Sequence, residues 1–77
     1  MSPTIAFIGN ARVMIRTDDH GRSHIHVVAP DAEAKIEIRS LAVVRFSGFD
    51  QKTLKRFQKY IEENKNDLLE AWHEIHG

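Results

Sequence analysis

Asp18-Asp19-His20-Gly21-Arg22-Ser23-His24-Ile25-His26-Val27-Val28 is the stretch around which the chain is organised. Its opening half is polar and turn-forming, and its closing half is rich in β-branched side chains. We read it as a loop that delivers the chain into a strand over His24 to Ala29, which Pro30-Asp31 then ends. Because side chains alternate along a strand, His24 and His26 share one face while Ile25 and Val27 share the other.

The neighbouring segments fit the same sheet. Upstream, Thr4 to Ile8 and Ala11 to Thr17 are β-prone runs joined by Gly9-Asn10, a two-residue connection suited to a tight hairpin. Downstream, Lys35 to Arg39 alternates strictly, and Leu41 to Phe46 offers a further strand before Ser47-Gly48 breaks it. Asp50 has the chemistry of an N-cap for a helix carrying Leu54, Phe57 and Ile61 at helical spacing. Asn64 to Asn66 interrupts that pattern, and Leu68, Leu69, Trp72 and Ile75 resume it. The expected fold is therefore α+β: an antiparallel sheet of three to five strands followed by two C-terminal helices packed on one face. Residues 1–77 are expected to form a single domain.

Register assigns the residues to faces. Val13, Ile15, Ile25, Val27, Ile36 and Ile38 are expected on the covered side. Arg12, Met14, Arg16, His24, His26, Val28, Lys35, Glu37 and Arg39 then fall on the opposite, basic side, whose plain reading is a solvated outer face.

Composition narrows the classes. Apolar residues make up 42% of the chain and charged ones 29%, the balance of a folded domain and not of a disordered tail. With no cysteine, neither a disulfide nor a thiolate zinc site is available. Eleven basic and eleven acidic side chains cancel, so no global field draws the chain to nucleic acid. Thr4 to Ile8 is too short for a signal peptide, and no apolar run approaches a membrane span. A cytoplasmic chain with no membrane association is expected.

Chemistry concentrates on the histidines. At two strand rises of roughly 3.3 Å, the Cα atoms of His24 and His26 would sit about 6.6 Å apart, within reach of one metal ion. A third ligand would have to be His20, Asp18 or Asp19, which makes metal binding by His20, His24 and His26 a weak alternative. Histidine titrates near neutral pH, so the pair is also a catalytic candidate, acting as acid and base on RNA with Arg16 or Arg22 holding the phosphate. The plain alternative leaves each imidazole half-exposed and bonded to a neighbour. Arg12, Arg16, His20, Arg22, Lys35 and Arg39 are the candidate binding residues. Lys52, Lys55, Arg56 and Lys59 crowd the first turns of the first helix, against its dipole, where an anion would compensate; Glu62 and Glu63 offer a local explanation. His73 and His76 suit C-terminal capping. No phosphate loop, nucleophile elbow or dinucleotide fingerprint is present, and no cofactor is expected.

Several of these pieces together carry a resemblance. Pro3-Thr4-Ile5, Ile15-Arg16, Asp19-His20 before His24-Ile25-His26-Val27, Ala34 to Ile38, and Leu68 to Trp72 resemble, nearly end to end, the small bacterial proteins of the domain of unknown function 4160 family. Family members usually carry two prolines before the first histidine of the pair, where this chain has Arg22-Ser23. The family has no established activity. Its resemblance to components of toxin–antitoxin systems implies a small protein partner from the same operon, with homo-oligomerisation also open. Gly21-Arg22-Ser23-His24 at a strand start, followed by a basic helix, is similar to HicA-type messenger-RNA interferases, which would make His24 the acid–base residue of a small ribonuclease. That family opens with a helix, whereas this chain opens with strands.

Overall fold

The computed structural model describes residues 4–17 and 21–76. Strands β1 (Thr4–Ile8), β2 (Ala11–Met14), β3 (His24–Ala29), β4 (Ala32–Glu37) and β5 (Val43–Ser47) are followed by helices α1 (Gln51–Glu63) and α2 (Lys65–His76). The strands form one antiparallel sheet in chain order, β1-β2-β3-β4-β5, each strand pairing with the next. Such a meander needs only short connections. Among the described residues it leaves β1 and β5 as open edges.

The apolar alternation anticipated from the sequence lines the core. Val13, Ile15, Ile25, Val27, Ile36 and Ile38 are all fully buried and form one cluster with Leu54, Phe57, Ile61, Leu68 and Trp72 of the helices. Burying six β-branched side chains at roughly 1.5–3 kcal/mol each supplies much of the driving force available to so small a domain. Registration is tight because slipping β3 by one residue would exchange the isoleucine and histidine faces.

Boundaries differ from the sequence expectation where tertiary pairing takes over. The second strand stops at Met14, although Ile15 remains in the core. The fourth begins at Ala32, earlier than Lys35, because the Pro30-Asp31 turn lets Ala32 pair directly with Ala29. The fifth runs over Val43–Ser47 and not from Leu41, since Leu41 adopts a left-handed φ of 66° and belongs to the preceding turn. That backbone costs a branched residue about 1–2 kcal/mol. Its compensation is visible: Leu41 N–H donates to the Glu37 carbonyl at 3.1 Å, and Gln58 Nε2 donates to the Leu41 carbonyl at 2.7 Å.

Gly48 ends the sheet for a steric reason. Its φ is +86°, and a Cβ there would lie 2.5 Å from the Asp31 carbonyl oxygen. Asp50 then caps α1, its Oδ1 accepting the Thr53 N–H at 2.8 Å. Hydrogen bonding from the Thr53 side chain, and next from its backbone, holds the Asp50 carboxyl below its ordinary value. The break expected over Asn64 to Asn66 is confined to Asn64, whose side-chain Nδ2 donates to the Tyr60 carbonyl at 2.9 Å, and α2 restarts at Lys65.

Candidate functional site

The sequence singled out His24 and His26, and the structure buries both. They are 2% and 5% exposed, so His24 to Val27 forms four consecutive buried residues on a strand. A strand buried at every position has both faces covered, at least over this stretch. The basic side of the sheet is thus wet at Arg12, Glu33 and Arg45 but closed over the histidines. The expectation of half-exposed imidazoles is replaced by a packed cluster.

Aromatic contacts contribute to that closure. The His24 and His26 rings meet edge to face with centroids 5.0 Å apart, and Trp72 of α2 lies 5.0 Å from His24. His76, one helical turn beyond Trp72, stacks on the indole at 3.8 Å. His24 Nδ1 lies 2.8 Å from the Arg22 carbonyl oxygen, and His76 Nδ1 lies 3.1 Å from that of Trp72. Carbonyls only accept, so both Nδ1 atoms carry the proton. Trp72 belongs to the core cluster, and His76 caps the last turn of α2 through the Trp72 carbonyl, as its position predicts. The i,i+4 spacing on α2 foretells their mutual stacking, but no local signal foretells their meeting with β3.

The candidate binding residues separate into two groups. Arg12 on β2 pairs with Val28 and lies near Ala29 and Pro30 at the far end of β3. Arg22 and Arg39 lie at the near end, about 13 Å away along the strand at four rises of roughly 3.3 Å. There they line one cleft of about 310 Å³ with Ser23, Glu37 and Ser40. Lys35 is half-buried on β4, in register with His26, and Arg16 is half-buried just after β2. His20, Asp18 and Asp19 lie outside the described residues. Among the described residues no group of three histidine, cysteine or acidic side chains is placed to hold a metal.

Within that cleft the Ser40 hydroxyl donates to Glu37 Oε1 at 2.6 Å, and Arg22 Nη1 stands 3.9 Å from the same oxygen. With the Arg22 side chain 85% exposed, that ion pair is a loose one. The Ser23 carbonyl accepts from Ile38 N–H at 3.0 Å and Lys65 Nζ donates to the Arg39 carbonyl at 3.1 Å, which ties the turn after β4 to both β3 and α2.

A second exposed feature lies on the sheet edge. Val44 and Phe46 of β5 are 53% and 46% exposed, and every residue of that strand after Val43 is open to solvent. The register with β4 shifts between Lys35 and Ile36, so Val44 is the extra residue of a bulge. Lys52, Lys55, Arg56 and Lys59 are all exposed on α1, away from Leu54, Phe57 and Ile61.

Comparison with known proteins places the chain. The family model described as a domain of unknown function (DUF4160) matches residues 11–73, and the chain belongs to that family. No curated protein and no solved structure matches it.

Proposed function

We propose that this member of the domain of unknown function 4160 family is a protein-interaction module, one half of a toxin–antitoxin-like two-gene pair, that takes an extended segment of its partner onto the edge of β5. The observation that carries the reading is the exposure of Val44 and Phe46 on an unpaired edge strand. Natural edges are usually short, charged or covered, because unpaired backbone groups beside apolar side chains recruit other strands. β1 is the other edge, but it exposes a single large apolar side chain, Phe7, against two on β5.

The partner's chemistry follows from the strand it would join. Phe46 is in register with Ala34 on the core side, and Arg45 is in register with Lys35 on the other. An incoming strand gains most by placing an apolar residue beside Phe46 and a carboxylate beside Arg45, each cross-strand pair contributing about 0.2–1 kcal/mol. Self-pairing centred on Arg45 would set guanidinium against guanidinium, which favours a different chain as partner. A cytosolic location accompanies this reading, and no helix among the described residues is long and apolar enough to cross a membrane. The rival reading, RNA cleavage by His24 and His26, requires the cover over two buried imidazoles to move before substrate arrives.

The test is co-purification with the product of the adjacent gene, comparing the wild type with a Val44→Lys/Phe46→Lys variant. Both positions are about half exposed, so the fold should keep its stability to within about 0.5 kcal/mol per site. Loss of the complex with the thermal midpoint unchanged supports strand addition; an undiminished complex refutes it.

A further inference from the structure

The cleft at the near end of β3 collects donors from two separate parts of the chain. Arg22 and Ser23 precede β3, while Arg39 and Ser40 belong to the turn that follows β4. That turn is held from three directions: by Ile38 N–H on the Ser23 carbonyl, by Lys65 on the Arg39 carbonyl, and by Gln58 on the carbonyl of the strained Leu41. Strained backbone persists only where its surroundings over-determine it, and such positions gather at binding sites.

We propose that this cleft binds a small phosphate monoester, its phosphoryl group bridging the Arg22 and Arg39 guanidiniums. Two cations, Arg22 and Arg39, line the cleft, and among the described residues its lining holds one carboxylate, Glu37. Glu37 is occupied by the Ser40 hydroxyl and leaves Arg22 at 3.9 Å, beyond hydrogen-bond distance, so the guanidinium's fork remains available. Guanidinium forks match phosphate oxygens in pairs. Two forks of two N–H groups each and the Ser23 hydroxyl exceed the roughly four acceptor sites of a carboxylate, whereas a phosphoryl group offers a third oxygen; the Ser40 hydroxyl is already committed to Glu37. The volume of about 310 Å³ is at the small end of ligand pockets and leaves room for the ester's organic part. Ligand entry turns Arg22 from Glu37 toward the phosphate, and Glu37 then repels the ligand. The site is independent of strand addition, since none of its lining residues is on β5.

The experiment is an amide-resolved NMR titration of the full chain at constant ionic strength, with inorganic phosphate, glycerol phosphate and acetate as probes. Above about pH 6 the monoester is dianionic. Saturable shifts confined to the segments around Arg22 and Arg39, with phosphate and its ester but not acetate, are the expected result. Arg39→Gln should weaken binding by about tenfold, the loss of one charge-assisted pair. Glu37→Gln should tighten it. Non-saturating shifts, shifts centred on Lys52 to Lys59, equal binding of acetate, unchanged affinity in Arg39→Gln, or no tightening in Glu37→Gln would each overturn the proposal. Both variants carry exposed or half-exposed sites, and their own spectra show whether the fold is retained.

Discussion

Replacing His24 with alanine separates a packing role from a chemical one. The ring is 2% exposed, meets His26 and Trp72 at 5.0 Å each, and donates to the Arg22 carbonyl at 2.8 Å. Loss of the hydrogen bond to the Arg22 carbonyl costs about 1 kcal/mol. Losing the ring's contacts with Trp72 and His26 adds about 0.5–1.5 kcal/mol, and the void between strand and helix about 1 more. The sum is about 2.5–3.5 kcal/mol. Against about 4–11 kcal/mol for a chain of this length, that is a large share. Urea denaturation of wild type and His24→Ala measures it, and at about 4–8 °C per kcal/mol the thermal midpoint should fall by about 10–28 °C. A change below about 0.5 kcal/mol would refute the packing account. The consequence for function is direct: a His24→Ala/His26→Ala chain loses stability along with any chemistry of the two imidazoles, so a loss of activity in it does not by itself identify a catalytic role. Growth arrest on expression, and its relief by substitution, is therefore informative only with a variant whose denaturation midpoint matches the wild type.

Other perturbations test separate parts of the structure. Gly48→Ala drives a Cβ to 2.5 Å from the Asp31 carbonyl oxygen at a φ of +86°, whereas Gly21→Ala, at +89°, meets no described atom within 4 Å. The first should cost at least about 2 kcal/mol in urea unfolding and the second about 1, so equal losses would contradict the steric reading. Asp50 has its folded-state pKa lowered by Thr53, so its contribution is complete above the ordinary carboxylate value and fades as pH falls through the lowered one. Asp50→Asn, which keeps the cap but cannot titrate, should flatten the stability curve below about pH 4; an unchanged acid limb contradicts the assignment. Gln58→Ala removes the donor to Leu41 and should raise amide exchange across the turn after β4 while α1 stays protected. Exchange unchanged in that turn would mean Gln58 does not hold it.

What the sequence disclosed divides along a physical line. Local and periodic features were legible: the Gly9-Asn10 hairpin, the His24–Ala29 strand, the Asp50 cap, the Asn64 break and all six fully buried positions of the covered face. Each depends on residues within a few positions of one another or on a period of two. Burial of the histidines was not legible, because it depends on Trp72 returning from 48 residues downstream, the separation of Trp72 and His24 in the chain. Alternation tells which face a residue is on but not what lies over it. Leu41 misled for a related reason: it lies just before the β-prone run Val43-Val44, while bonds to Glu37 and Gln58 hold its backbone left-handed. Two of the cleft's five lining residues, Arg22 and Arg39, were visible as basic candidates, but their joining and the distance to Arg12 required the register. Outside the family model's match, neither a curated protein nor a solved structure narrows the function, so the site's chemistry carries that argument.

Hydrogen exchange on β5, with and without the proposed partner, tests strand addition most directly. Pairing of a new strand protects the outward-facing amides of Val43–Ser47 while leaving the already bonded ones unchanged. The account expects slowed exchange at those outward amides in the complex, abolished by the Val44→Lys/Phe46→Lys substitutions. A complex that forms with β5 exchange unaltered, and with protection appearing on α1 or β1 instead, would contradict it.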